Sequence, residues 1–265
     1  MKLENLITEV NAIVREVGEY ISSQKDHISS KDIDTKGIHD LVTFVDKRSE
    51  RMLIDHLSRI LPGSGFLVEE QTVENEGKEY TWIIDPLDGT TNYIHGLPAY
   101  SISVALMKDE EVIMGTVLDV EAGECYYSWK DGPAFLNDNI ITVSKTASLG
   151  DSLLATGFPY SDFENLDAYI KMLRYLMENT RGIRRFGSAA IDLAWVACGR
   201  FDGFWEYSLK PWDVAAGSFI VMRAGGKCSD FSGKHNFLFG KEIVCGNGLL
   251  QAELLKLAKN FFNNE

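Results

Sequence analysis

A change of hydrophobic period near residue 150 constrains the fold more than any other feature of this chain. Between residues 100 and 129 the runs SISVALM, EVIMGTVLDV and ECYYSW are short and β-rich. They are separated by the turns Lys108-Asp109-Glu110 and Glu121-Ala122-Gly123, the pattern of an antiparallel meander. After residue 150, short apolar strands (LLATG, GFWEY, IVCGN) alternate with helix-period segments at 165–178, 188–199, 212–224 and 249–262, which is α/β texture. We therefore expect an N-terminal α+β half over 1–148 and a C-terminal α/β half over 149–265, packed closely as one unit because no linker-like composition separates them. Ahead of the meander, Leu3, Leu6, Ile7, Val10, Val14, Val17 and Ile21 mark an amphipathic opening helix. Residues 41–45 read as a short strand ending at Asp46. A second helix over 52–60 is stopped by Pro62-Gly63, and a further strand covers 80–84.

Charge narrows the chemistry. Across 265 residues, 26 basic side chains against 39 acidic ones leave a formal −13, which argues against a nucleic-acid or anionic-membrane binder. An acidic protein can still act on an anion if bound cations reverse the local field. The first twenty residues break every apolar run with a charge, so they read as neither a signal peptide nor a membrane span, and a cytoplasmic protein is expected. Cys125, Cys198, Cys228 and Cys245 form no CxxC pair and are expected as free thiols. The five histidines never fall at HxxxH spacing, and there is no P-loop or GxSxG elbow. Gly246-Asn247-Gly248 lacks the third glycine of a dinucleotide fingerprint and is expected simply to precede the last helix. The chemistry is left to carboxylates.

The densest carboxylate stretch is Trp82-Ile83-Ile84-Asp85-Pro86-Leu87-Asp88-Gly89-Thr90-Thr91-Asn92. A strand delivers Asp85, proline forces a turn, and Asp88 follows within reach of the same point. Oxygen-only ligands of this kind suit Mg²⁺ or Mn²⁺ rather than zinc. Gly89 permits close backbone approach, and the run after it is able to open a helix whose N–H groups receive phosphate oxygens. A β-turn with Asp88 as a helix cap accounts for the same residues equally well. Glu69-Glu70, Asp46 and Asp213 each carry a similar alternative: a solvated pair, a helix cap, and a first-turn acid behind Pro211.

WIIDPLDGTTN together with KPWDVAAGSFIVMRAGG resembles the two signature motifs of the inositol monophosphatase family. DLVTFVD, the Glu69-Glu70 pair, GFPY at 157–160 and IRRFGSAAIDLAWVACGRFDGFWE at 183–206 are similar to that family in the same order, over roughly residues 36–248. The resemblance implies an α/β fold, a layered α/β/α/β/α sandwich, with an antiparallel-sheet half followed by a mixed half. It also implies a homodimer that binds a small phosphate ester, neither nucleic acid nor membrane.

Carried over residue by residue, the family's metal ligands fall on Glu70, Asp85, the Leu87 carbonyl, Asp88 and Asp213, holding two or three Mg²⁺ ions, with Mn²⁺ a substitute. Asp46 and Thr90 match the dyad that orients and deprotonates the attacking water, so Asp46, Glu70 and Thr90 form the catalytic set. Substrate contacts are implied for Leu87, Asp88, Gly89, Thr90, Gly187, Ser188, Ala189, Glu206 and Asp213, with Arg184 at the substrate or at a dimer interface. The usual Gly-Glu-Glu is Val68-Glu69-Glu70 here, and the segment after it is short, which bears on a third, weaker metal near Glu70. The implied activity is Mg²⁺-dependent hydrolysis of myo-inositol 1-phosphate. Fructose 1,6-bisphosphate, histidinol phosphate, 3′-phosphoadenosine 5′-phosphate or NADP are alternatives within the superfamily, the sulfur-nucleotide branch being disfavoured because Thr91-Asn92-Tyr93 stands where it tends to carry Lys-Glu-Phe. A non-catalytic regulatory protein on the same scaffold is the alternative outside it.

Overall fold

The computed structural model describes residues 2–27, 33–37, 40–73, 78–160 and 162–262. Helix α1 (Leu3–Gln24) and helix α2 (Phe44–Ile60) flank a small antiparallel hairpin, β1 (Ile33–Gly37) and β2 (Asp40–Thr43). A seven-stranded sheet follows in sequential order: β3 (Gly65–Val68), β4 (Tyr80–Asp88), β5 (Ser101–Lys108), β6 (Glu111–Asp119), β7 (Glu124–Trp129), β8 (Phe135–Leu136) and β9 (Asn139–Ile140). All its ladders are antiparallel except β3–β4, which is parallel. The short helix α3 (Thr90–Ile94) connects β4 to β5.

The second half supplies β10 (Leu153–Thr156), α4 (Leu166–Asn179), β11 (Gly182–Arg184), α5 (Ala189–Ala197) and β12 (Gly203–Tyr207). It closes with α6 (Pro211–Arg223), β13 (Lys227–Ser229), β14 (Glu242–Gly246) and α7 (Leu250–Phe262). Its five strands lie in the order β11-β10-β12-β14-β13. The β10 ladders to β11 and β12 are parallel and those of β14 to β12 and β13 antiparallel.

Three apolar clusters define the layering. Val10, Val14 and Val17 of α1 and Leu53 and Leu57 of α2 bury Trp82, Ile84, Ile102 and Val104 on one face of the large sheet. On its other face Ile83, Ala105 and Val117 meet Ala190, Ala194, Val214, Ala216 and Ile220 of α5 and α6, which also cover Phe204 and Ile243 of the smaller sheet. Beyond that sheet, Leu154, Trp205 and Val244 pack on Tyr169 and Met172 of α4 and Leu254 of α7. The result is five layers, α/β/α/β/α, as the resemblance implies. Each large apolar side chain so buried contributes about 1.5–3 kcal/mol.

Two local features differ from the sequence reading. The strand expected over 41–45 stops at Thr43, and α2 starts at Phe44 because Thr43 and Asp46 form a capping box. The strand expected to end at Ile84 continues to Asp88 through a bulge. Asp85 opposes Ser103 and Asp88 opposes Ser101, three steps on β4 against two on β5. The extra residue falls at Pro86-Leu87, where Pro86 has no N–H to lose from the ladder. Strict alternation would send Asp85 and Asp88 to opposite faces, whereas the bulge returns both to the α6 side and sends Leu87 into the α1–α2 cluster.

The cysteines also require a correction. Cys228 and Cys245 sit directly opposite each other on β13 and β14, with Cα atoms 4.3 Å apart, and are joined as a disulfide, leaving Cys125 and Cys198 as the free thiols. Cysteine spacing gives no sign of strand partnership, so the sequence does not reveal that Cys228 and Cys245 face each other. Denatured without reductant, the chain should titrate two thiols, and four after reduction. Four before reduction would show the Cys228–Cys245 pair to be unbonded. In the native protein burial pushes the Cys125 thiol up to about 12, so Cys125 should be silent toward an aromatic disulfide reagent at pH 8.

Candidate active site

A cleft of about 620 Å³ opens where the ends of β3, β4 and β12 meet the starts of α3, α5 and α6. Its walls carry six carboxyl side chains, Glu69, Asp85, Asp88, Asp192, Glu206 and Asp213, against two cations, Arg185 and Lys210. Such a cleft repels a phosphate dianion unless further positive charge is bound.

Each acid is placed by a specific local device. Asp85 leaves the bulge almost fully buried, and its Oδ1 accepts from the Leu87 N–H at 2.9 Å. Burial, then Glu69 hydrogen-bonded to it, then Asp88 and Asp213, hold its carboxyl well above the usual range. Asp88 Oδ2 accepts from the Ser188 hydroxyl at 2.6 Å and the Ala190 N–H at 2.8 Å, so it closes the first turn of α5. Burial raises the Asp88 carboxyl to about 6 against the opposing pull of those donors and Arg185. Asp213, in the first turn of α6 behind Pro211, accepts from the Lys210 N–H at 2.7 Å. Glu206, near the end of β12, is buried. A Cβ at residue 157 would overlap its carboxylate, so Gly157 leaves the space that the Glu206 side chain fills.

Asp46 and Thr90 do meet. The Thr90 hydroxyl lies 2.9 Å from Asp46 Oδ1 and 3.0 Å from the Leu87 carbonyl. Asp46 Oδ2 meanwhile accepts from the Thr43 N–H and hydroxyl at 2.9 and 2.6 Å. Burial raises the Asp46 carboxyl despite these bonds. Gly89 precedes α3 with φ of 94°, and a Cβ there would stand 2.8 Å from the Ala99 carbonyl, so no other residue fits. The Asn92 amide fixes the same corner by donating to the Ala99 and Phe186 carbonyls.

Two expected site residues are displaced by one position. Glu70 does not line the cleft; Glu69 does. The parallel register pairs Leu67 with Ile83 and Val68 with Ile84, and its next step sets Glu69 beside Asp85. The Glu70 and Thr72 N–H groups are held by the buried Glu50 carboxylate of α2, at 2.7 and 2.9 Å. Arg184 likewise lies exposed on edge strand β11, bonded to its neighbour's carbonyl, while Arg185 enters the cleft. The Arg185 guanidinium donates to the Tyr160 hydroxyl and stacks over the Phe158 and Tyr160 rings. Leu87, Asp88, Gly89, Thr90, Gly187, Ser188, Ala189, Glu206 and Asp213 all line the cleft. Asp192 was not anticipated, since it reads as an ordinary acid of the first turn of α5. Residues 74–77 of the shortened segment lie outside the described residues.

Among the described residues no three acids already converge as a closed ligand set. The carboxylates are occupied with one another and with helix caps, as a repelling cluster is without cations. The donor chemistry is nevertheless all oxygen and charge-dense, which fits hard divalent ions.

A five-layered α/β sandwich with a cation-demanding acid cleft at the helix starts defines the class. The chain belongs to the inositol monophosphatase family, whose model matches residues 2–261. It is 38% identical over 243 residues, 91% of each chain, to the inositol-1-monophosphatase of Mesorhizobium japonicum. It is 41% identical over 238 residues, 88% of each, to the Nus factor SuhB of Pseudomonas aeruginosa. The crystal structure of the extragenic suppressor protein SuhB from Bartonella henselae superposes with a TM-score of 0.91 at 34% identity, covering 96% of this chain and 98% of that one. Among the described residues no helix is long and apolar enough to cross a membrane.

The raised carboxyls carry a pH prediction for the metal-free protein. Asp88 and Glu206 have folded-state values above their unfolded ones, so the folded state binds more protons between about pH 4 and the folded values. Stability in EDTA should therefore rise as pH falls from 8 toward 5. At pH 8, Glu206→Gln should raise the EDTA melting temperature by at least about 2 °C, the worth of roughly 1 kcal/mol in a chain of this order. A flat pH profile for the wild type, or a lower melting temperature for the variant, would contradict this.

Proposed function

We propose that this protein is a divalent-cation-dependent phosphomonoesterase acting on polyol phosphates, with myo-inositol 1-phosphate as the leading substrate. The Thr90 hydroxyl, held 2.9 Å from buried Asp46 at the edge of the acid cleft, is the observation that supports it most strongly. Glu69, rather than Glu70, joins Asp85, Asp88, Asp213 and the Leu87 carbonyl as the set that would hold Mg²⁺ or Mn²⁺. Bound there, such ions supply charge neutralisation for the phosphate dianion and make water more acidic. The protein's own part is proton movement and positioning. Water beside Thr90 passes a proton to its oxygen as the Thr90 proton moves to Asp46 Oδ1, whose burial makes it a better base. The amides opening α3 receive phosphate oxygens. Glu206 and the Gly187-Ser188-Ala189 turn bind the polyol hydroxyls. A cytoplasmic homodimer completes the proposal.

The likeness to a Nus factor SuhB supports a second reading, a regulatory protein on this scaffold. Regulation has no need of a threonine hydroxyl suspended between a buried acid and a carbonyl, which is why the enzyme reading leads. Phosphate release from inositol 1-phosphate, titrated with Mg²⁺ after EDTA, separates the two, and full turnover without metal would exclude the metal-dependent mechanism.

Two sets of variants test the assignments. Thr90→Ala and Asp46→Asn should each lower kcat at least tenfold, within the roughly 10²–10⁴ expected of a general base, with the Mg²⁺-induced rise in melting temperature retained. As one relay, the pair together should be little worse than either alone; losses that multiply would mean independent roles. Glu69→Gln should abolish most of the Mg²⁺-induced rise, and Glu70→Gln should keep it. The reverse result would restore Glu70 to the cation site.

A further inference from the structure

One buried carboxyl belongs to neither the cation set nor the proton relay. Glu50 lies on α2 one turn after Asp46, is fully buried, and does not line the cleft. Burying a carboxylate is unfavourable unless hydrogen bonds replace its water. Three donors do so here, and all come from the turn that leaves β3. Glu50 Oε2 accepts from the Glu70 N–H at 2.7 Å, and Oε1 accepts from the Thr72 N–H at 2.9 Å and the Thr72 hydroxyl at 2.6 Å.

The turn is shaped for an anion. Gln71, between the two donating amides, has φ of 51°, in the left-handed region that a side chain disfavours. A left-handed residue turns the N–H groups around it toward one point, and such a concavity takes an anion. Here the anion comes from a helix residue 20 positions earlier in the chain. Glutamine at position 50 would offer one acceptor oxygen where the turn requires two. On its other side the turn is tied to the sheet, where the Glu69 N–H donates to the Ile84 carbonyl at 3.3 Å. Glu69 thus sits between two anchors, with its side chain hydrogen-bonded to Asp85.

Resting on the divalent-cation reading of the cleft, we infer that Glu50 is a positioning residue of the cation site. It clamps residues 70–72 and thereby aims Glu69 at Asp85, setting cation affinity without touching cation or substrate. Asp46 and Glu50, four residues apart, stand on one face of α2. That face serves both halves of the proposed chemistry, Asp46 through Thr90 and Glu50 through Glu69. A glutamate that only held the loop would change stability when lost. A positioning one changes how much Mg²⁺ the site needs.

The test reads Mg²⁺ affinity of the full-length protein in two ways. One is the Mg²⁺ concentration for half-maximal phosphate release from inositol 1-phosphate; the other is calorimetric titration of the substrate-free protein with Mg²⁺. In Glu50→Gln the half-maximal concentration and the dissociation constant should both rise about ten- to a hundredfold, the usual effect of removing a residue that orients a metal ligand. At saturating Mg²⁺, kcat should fall far less, since Asp46 and Thr90 are intact. Thr72→Val removes one of the three bonds and should shift both readouts in the same direction by a smaller factor. It decides the matter if Glu50→Gln does not fold, and unshifted readouts there overturn the inference. Adding Glu50→Gln to Glu69→Gln should weaken Mg²⁺ binding no further, because one residue acts through the other. A Glu50→Gln protein that melts lower yet binds Mg²⁺ as the wild type does overturns the inference, as do losses that multiply in the double variant. If the wild type itself takes up no Mg²⁺, the cation reading fails on its own account and the inference fails with it.

Discussion

The site depends on the placement of α5 and α6 between two sheets. Both helices are covered on both sides, and small residues set their close approach: a Cβ at Gly217 of α6 would stand 2.6 Å from Leu193 of α5, and one at Gly115 of β6 would stand 3.0 Å from the Ala216 Cα of α6. A helix confined in this way cannot shift its first turn, so whatever lies at its N-terminus is held to the precision of the core. Ser188 begins α5 and Pro211 begins α6, and both starts open into the cleft. The large sheet supplies the third fixed point through the β4 bulge, with the Ser103 hydroxyl bonded to the Trp212 carbonyl at 3.1 Å to tie sheet to helix. Position therefore comes from apolar packing across the layers, and the acids themselves add little to it.

Those acids work against the fold when no cation is present. Asp85, Asp192 and Glu206 are buried and Asp88 half-buried beside them, and all four are shifted toward the neutral form, the response of crowded carboxyls that resist mutual ionisation. Two cationic side chains do not balance six acids. Stability spent in this way is characteristic of sites whose electrostatics are completed by a bound group, and the surrounding core must be strong enough to hold the geometry beforehand. Here the apolar clusters on both faces of both sheets supply that reserve.

Much of this was legible in the sequence. The change of texture at residue 150 foretold the two kinds of sheet, and the helix-period segments fall within a residue or two of α4 to α7. The motif residues Asp85, Asp88, Thr90, Glu206 and Asp213 line one cleft. The two site residues misplaced by one position share a physical cause, since consecutive residues in extended chain point to opposite faces. Choosing Glu70 over Glu69, or Arg184 over Arg185, reverses the face. Leu67 and Ile83 share the α5–α6 side of the sheet, so alternation along 65–69 was a usable signal for Glu69. For Arg185 the signal was the end of a three-residue strand that periodicity cannot resolve. Glu50 was hidden for a different reason: its charge reads as solvated surface, although it lies on the same helical stripe as Asp46, Leu53 and Leu57. The Cys228–Cys245 pair had no local signal at all, because it depends on which strands become neighbours.

The sequence also left capping and chemistry as competing explanations for Asp46, Asp88 and Asp213, and the geometry leaves room for both. A carboxylate has two oxygens. Asp46 gives Oδ2 to the capping box of α2 and Oδ1 to Thr90. Asp88 gives Oδ2 to the first turn of α5, and Asp213 gives Oδ2 to the turn that starts α6. In each case the cap aims the side chain and fixes its rotamer, which a solvated acid at the end of a flexible loop would not achieve. The cap is therefore how the carboxylate comes to be ordered enough to take part in a site. For a chain of this kind, a convincing local role for an acid at a helix start is consistent with a functional one, and several such acids converging on one cleft point to it.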